Sequence, residues 1–237
     1  MSLPEVVSYS EWLIARKELL KKEKEFTRLK DALNTERRML PMVRIEKEYV
    51  FESSNGHSTL MDLFEGRRQL IVYHFMFDPL WEKGCSGCSS AMDQLSMKVL
   101  EQLNEHHTSF ACVSRAPYLK SERYKQDMNW SFPWYSSFES DFNYDFHATL
   151  DASKAEIEYN YRDKAEIEKR NPQWFHKSTE MQGYSCFLRD GQEIYHTYST
   201  YARGSENAGC HIYALLDMTA LGRQEPWEKP EGRADPE

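Results

Sequence analysis

Residues 70–103 read LIVYHFMFDPLWEKGCSGCSSAMDQLSMKVLEQL. The stretch opens on a β-branched and aromatic run, Leu70-Ile71-Val72-Tyr73-His74-Phe75-Met76, which is the composition of a buried strand. A loop with Pro79 and Gly84 follows. Cys85 and Cys88 then stand as C-x-x-C, and Met92, Leu95, Val99 and Leu103 recur after them at helical spacing. Strand, loop, C-x-x-C and a helix running on past Leu103 is the order of a redox-active dithiol.

The chemistry follows from that order. Cys85 falls at or just before the first turn of the predicted helix, where unpaired amide N–H groups favour a thiolate. Cys88 lies one turn on and faces back, so it is placed to attack a mixed disulfide formed at Cys85. Cys85 is therefore the candidate nucleophile and Cys88 the candidate resolving thiol, with the small residues Ser86 and Gly87 between them. Zinc sites also use C-x-x-C but need two further ligands. There is no second C-x-x-C, His106-His107 stand side by side at a helix end, and Cys210-His211 are neighbours that point apart on a helix. No metal and no cofactor is expected. Cys112 and Cys186 lie inside apolar strands and read as small buried hydrophobes. His74 at the end of the central strand, Asp78 in the loop and Arg115 after the next strand are candidate proton handlers or anion stabilisers. Against each stands a plainer reading, a core histidine or a surface ion pair.

Outward from this centre the chain alternates helix and strand. Ser8 and Glu11 form a capping box ahead of one helix over residues 8–40, with Trp12, Ala15, Leu19, Phe26, Leu29 and Leu33 at helical spacing and Pro41 ending it. Its mixed charges, as in Lys21-Lys22-Glu23-Lys24-Glu25, suit packing on its own domain or on a second copy, making a homodimer. Glu48–Phe51 reads as a strand, Asn55-Gly56 as a turn, and Thr59–Phe64 as a short helix. Ser109–Ser114 is the next strand, and Pro117 opens a helix to about Met128. Residues 129–147 hold eight aromatic side chains. They read either as a substrate-lining loop, with Trp130, Trp134 and Tyr135 as binding candidates, or as a segment anchored on the core. Residues 151–172 look inserted, with KAEIE at 154–158 and again at 164–168. Tyr184–Leu188, Asp190-Gly191 and Glu193–Tyr198 make a hairpin, and Tyr184 is a further binding candidate. A last helix spans Asn207–Met218. The whole reads as a mixed central sheet flanked by helices.

Composition excludes several functions. A net charge of −8 offers no basic footprint for nucleic acid. The longest apolar run, near Leu70–Phe77, is too short to span a bilayer, and the start of the chain lacks the basic and apolar regions of a signal peptide. Five cysteines, an odd count with one close pair, fit a reducing compartment, so the expected location is cytoplasmic, without a membrane partner.

Beyond C-x-x-C, the segments LIVYHFMF, GCSGC, VSRAP, FPWYSSFESDFNYDF, FLRDG, HTYSTYARG and LGRQE closely resemble the domain of unknown function 899 family. These are thioredoxin-like proteins described as predicted dithiol-disulfide oxidoreductases, and the resemblance covers nearly all of residues 8–225. It implies an α/β, thioredoxin-like fold with a peroxiredoxin-like layout and a long N-terminal helix. Together with the reading of the residues this divides the chain into a helical arm at 1–42, a thioredoxin-like domain at 43–225 with an insertion around 129–182, and a tail at 226–237 whose composition reads as disordered. The implied activity is thiol-disulfide exchange through Cys85 and Cys88, with an unidentified thiol or disulfide substrate and a dithiol reductant as partners. Two alternatives stand beside it: a redox-inactive binding or scaffold module, and a thiol peroxidase using Cys85. The sequence departs from thioredoxin where a proline would precede the strand facing the site, since Gly183-Tyr184 stand there. It departs from the peroxiredoxin pattern P-x-x-x-T-x-x-C in the position of Pro79 and in having Glu82 in place of threonine.

Overall fold

The computed structural model describes residues 4–170, 179–209 and 218–219. The chain divides into two units, one holding the first helix, α1 (Tyr9–Arg38), and the other formed by Met42–Cys210. The capping box at the start of α1 is present. The Ser8 hydroxyl accepts from the Glu11 N–H at 3.4 Å, and the Glu11 carboxylate accepts from the Ser8 N–H at 3.0 Å.

The second unit is built on a mixed sheet. Its strands in chain order are β1 (Val43–Arg44), β2 (Val50–Ser53), β3 (Gly56–Thr59), β4 (Gln69–His74), β5 (Thr108–Ser114) and β6 (Trp134–Ser136). Short pairings follow: β7 (Thr149–Leu150), β8 (Glu158–Tyr159), β9 (Arg162–Asp163) and β10 (Thr179–Glu180). The long hairpin β11 (Gly183–Asp190) and β12 (Glu193–Tyr201) ends the set. Spatial order across the eight-stranded sheet is β1-β12-β11-β4-β5-β6-β2-β3. Strands β4, β5 and β6 run parallel, and β11 pairs antiparallel with β4. The parallel strands are buried as continuous apolar runs because helices cover the sheet. Those helices are α2 (Ser86–Met92), α3 (Met97–Glu105), α4 (Tyr118–Asp127), α5 (Phe142–Asp145), α6 (Lys164–Arg170) and α7 (Ala202–Gly209).

Alternation along β4 sorts its side chains between two cores. Leu70 and Val72 pack with Phe51, Phe64, Val113, Phe142, Phe146 and Phe187. Ile71, Tyr73 and Phe75 pack on the other face with Cys88, Met92, Leu100, Phe132 and Trp134. The aromatic block at 129–147 serves both faces: Phe132 and Trp134 go to the cysteine side, Phe142 and Phe146 to the other. A third cluster, of Leu150, Ile157, Tyr159, Ile167, Met181 and Tyr201, holds the 151–170 segment.

Four local expectations are corrected. The helix expected to run from Cys85 past Leu103 is two helices. α2 stops at Met92, and Ser96 caps α3 by accepting from the Val99 N–H. The Trp130 indole N–H, donating to Asp93 Oδ1 at 2.8 Å, fastens the break. The strand expected at Glu48–Phe51 forms at β2, two residues later, paired with β3 through the Asn55-Gly56 turn, where Gly56 takes φ +87°. Thr59 closes β3, so the expected helix at 59–64 shrinks to a 3₁₀ turn, Asp62–Phe64, fixed by the Thr59 N–H on Asp62 Oδ2 at 2.7 Å. A helix expected at Asn207–Met218 is met by α7, which begins earlier, at Ala202; residues 210–217, with Cys210, lie outside the described residues, as does the 226–237 tail, and Met218 stands in a turn.

Candidate active site

Cys85 is the N-cap residue of α2, so its sulfur sits where the first amides of the helix are unpaired. The loop is pinned behind it by the Cys85 N–H on the Met76 carbonyl at 3.0 Å. The Cys85 carbonyl accepts from the Ser89 N–H and from Ser89 Oγ, both at 2.9 Å, and Ser89 Oγ pairs with the Tyr124 hydroxyl at 2.9 Å. The half-buried Cys85 sulfur faces the Cys88 thiol and the backbone N–H groups of Cys88 and Gly87, the groups that favour its thiolate. These donors, the Cys88 thiol first, outweigh burial and bring the Cys85 thiol down to about 6. Cys88 is driven the opposite way. Its bond to Cys85, its burial and the neighbouring negative charge push it well up, while the Tyr73 hydroxyl and the Met76 N–H oppose. One thiol is thus set to ionise first and the other to hold its proton.

Gly84 is required by the space before Cys85. A Cβ there would lie 2.5 Å from Cε1 of Phe75 and 3.1 Å from Cε1 of Tyr124. The Phe75 ring is held between Tyr73, Tyr124, Trp130 and Trp134, with centroids 4.7–6.4 Å away, and has nowhere to yield. Gly84→Ala should therefore cost about 1–3 kcal/mol by overpacking, read as a lower denaturant midpoint.

Among the other sequence candidates, Trp130, Trp134 and Tyr184 belong to the cluster around Cys88, whereas Tyr135 packs on the opposite face against Phe51. Trp134 is a core residue, 4% exposed, with its indole N–H on Ser114 Oγ at 3.0 Å. His74 is buried on the face away from the cysteines, stacked on Phe142 and Phe146, with Nε2 at 2.8 Å from Ser185 Oγ. That hydroxyl meets Ser199 Oγ, which meets His196 Nε2, a chain of four side chains of which the first three are buried. Burial, with the charge of His196 second, drives His74 down to about 3, so it is neutral at physiological pH.

Asp78 shapes the loop, its Oδ1 accepting from the Leu80 N–H at 2.8 Å. Arg115 pairs with Glu180 Oε1 at 3.1 Å and lies over the Tyr144 ring at 5.0 Å. Glu180, fully buried, is raised to about 7 by burial, against Arg115 and the Thr149 hydroxyl and with the nearby charge of Asp78 adding to the rise. Asp78, Arg115 and Glu180 form one electrostatic group. Neither they nor His74 are among the groups that set the acidity of Cys85. Three residues that the sequence reading did not propose for the site enter here: Tyr73 in the cluster that holds Cys88, Gln182 beside Tyr73, and Glu180 beside Arg115. Among the described residues no group of three or more His, Cys, Asp and Glu side chains could hold a metal ion, and no helix is long and apolar enough to cross a membrane.

A mixed sheet flanked by helices, with C-x-x-C at a helix start beyond the end of β4, defines a thioredoxin-like fold in the layout of the peroxiredoxins. The peroxidoxin BcpB of Mycobacterium tuberculosis shares this fold at TM-score 0.50 and 10% identity, over 73% of this chain and 92% of that one. Two others are similar at TM-score 0.46: the bacterioferritin comigratory protein of Xanthomonas campestris (13% identity, 70% of this chain and 88% of that one) and a cysteine-to-serine mutant of PrxQ from Xylella fastidiosa (11%, 74% and 95%). Residues 1–234 match the model of a family described as a bacterial protein of unknown function (DUF899), and the chain belongs to that family. No curated protein matches it.

Proposed function

We propose that this protein is a thiol-disulfide oxidoreductase that cycles Cys85 and Cys88 between dithiol and disulfide. The observation that carries the reading is the placing of the two thiols: a half-buried Cys85 at the N-cap of α2 and, one turn on, a buried Cys88, with the Cys85 thiol drawn down and the Cys88 thiol pushed up by their surroundings. In the proposed cycle the Cys85 thiolate attacks one sulfur of a substrate disulfide. The Cys85–substrate S–S bond forms, the substrate bond breaks, and the departing sulfur takes the electron pair and a proton. Cys88 then attacks Cys85 Sγ, releasing the second substrate sulfur as a thiol and leaving the Cys85–Cys88 disulfide. A dithiol reductant restores the pair. The energetic demand on the protein is modest: it supplies an ionised nucleophile and proximity.

Trapping tests this directly. Cys88→Ser should leave Cys85 in a stable mixed disulfide with its partner, visible as a band lost on reduction and identifiable by mass spectrometry, whereas the Cys85→Ser, Cys88→Ser double variant should trap nothing. Equal capture by both variants would sink the redox reading in favour of a scaffold. Consumption of hydrogen peroxide dependent on Cys85, without disulfide exchange, would replace it by a peroxidase.

A further inference from the structure

We propose that α1 is a dimerisation element: the first helices of two copies of this chain pair side by side and in parallel, along a seam of Trp12, Leu19, Phe26, Leu29 and Leu33. The inference is independent of the chemistry at Cys85.

A helix in water draws most of its stability from packing an apolar stripe against something. α1 runs for 30 residues and buries none of them. Trp12, Leu19, Phe26 and Leu33 stand seven residues apart along it, with Ala15 and Leu29 three residues after the first and third of them. Written as heptads, the four are a positions, and Ala15, Lys22, Leu29 and Glu36 are d positions. The five large apolar side chains of this seam are 50–68% exposed, a contiguous stripe of the kind that marks an interaction surface. A seven-residue repeat drifts by about 20° per heptad round a straight helix and stays in line when two helices supercoil. The spacing therefore suits a second helix of the same repeat.

Charge selects a second copy of α1 and its direction. On one flank of the seam the g positions are Glu11, Glu18 and Glu25; on the other the e positions include Arg16, Glu23 and Lys30. In a parallel pair each g position faces the e position five residues further on in the second copy. Glu25 then meets Lys30 of the second copy, twice by symmetry, and Glu11 meets Arg16. Glu25 and Lys30 are exposed and make no ion pair of their own among the described residues. The like-charged pair is Glu18 against Glu23. Each already has a cation in its own helix, Glu18 taking Lys21 at 2.7 Å and Glu23 taking Arg16 at 2.8 Å, and Lys22 stands at the adjoining d position. Glu36, the other charged d residue, falls in the last turn, where the seam ends. An antiparallel pair would set the acidic flank of Glu11, Glu18 and Glu25 against itself, which costs free energy.

Sedimentation equilibrium of the full chain between about 1 and 100 μM, the range of a modest affinity, tests the pairing. The wild-type protein should be a reversible dimer there. The double variant Phe26→Lys, Leu33→Lys places good helix formers where the side chains are already exposed, so circular dichroism should keep its helix while dimerisation weakens more than about a hundredfold. Glu25→Lys alone and Lys30→Glu alone should each weaken the dimer about five- to thirtyfold, since two attractions become two repulsions. An equimolar mixture of those two variants should dimerise about as tightly as wild type, because each supplies the charge the other lacks. Should the double variant lose helix, this mixture decides by itself. A Glu25→Lys variant that dimerises more tightly than wild type would show an antiparallel pair and overturn the arrangement. A wild-type chain still monomeric at the top of the range, or a dimer indifferent to Phe26→Lys, Leu33→Lys, overturns the proposal.

Discussion

Alkylation of the wild-type protein by iodoacetamide should reach half its limiting rate near pH 6, and Cys85→Ser should abolish that phase and all disulfide exchange with it. Only the thiolate reacts, so the rate climbs as pH rises through the value set at Cys85, about 6. By pH 7 roughly nine-tenths of that sulfur is ionised, against a few per cent for an ordinary thiol of about 8.5. Cys88 is 1% exposed and keeps its proton, so it offers the reagent little in the single variant. Cys88→Ala gives the sign of the coupling: it removes the largest contribution at Cys85 and should move the midpoint up toward the ordinary range, leaving the two amides and burial to compete. A wild-type midpoint above pH 8 would show that those hydrogen bonds do not hold in solution.

Phe142→Ala should cost about 3–5 kcal/mol of stability, the range for emptying a packed aromatic site. Phe142 is fully buried, and its ring meets Phe146 at 4.6 Å, Phe51 at 5.0 Å, Tyr49 at 5.2 Å, His74 at 5.5 Å and Phe187 at 6.3 Å. Those neighbours come from the end of α5 and from β2, β4 and β11 and their approaches, so no single shift refills the space. Against a total folding stability of about 5–15 kcal/mol the loss is severe, and it reads as a lower denaturant midpoint at unchanged slope. Because this core lies on the face of β4 opposite the cysteines, the Cys85 titration should persist in whatever fraction remains folded. An unchanged midpoint with altered exchange would assign this half of the aromatic block to substrate.

The strand-loop-helix at 70–103 was legible because its determinants are local: a β-branched run, a loop with Pro79 and Gly84, and two cysteines one turn apart. Period-two alternation separates Tyr73 and Phe75 from His74, but no local feature says which face of β4 receives α2. His74 therefore looked equally available to the cysteines, and Tyr73 drew no notice. Gln182 and Glu180 lie far along the chain from the residues they serve, and only the pairing of β11 with β4 and of β10 with β7 brings them near. The break between α2 and α3 was hidden for another reason. Met92, Leu95 and Leu103 all reach the same core across it, so the hydrophobic spacing continues where the backbone does not. At Gly183, where a thioredoxin has proline, the Tyr201 ring explains the residue: a Cβ would meet it at 2.6 Å.

The shortness of α2 has a consequence for how the protein answers to its surroundings. A seven-residue helix gathers little macrodipole, and what lowers the Cys85 thiol is local: the Cys88 thiol first, then the backbone N–H groups of Cys88 and Gly87. Mobile ions screen charges separated by about 8–10 Å of solvent, not a hydrogen bond at contact range. The thiolate fraction at Cys85 should therefore change little with ionic strength, which repeating the alkylation titration at low and at high salt would check.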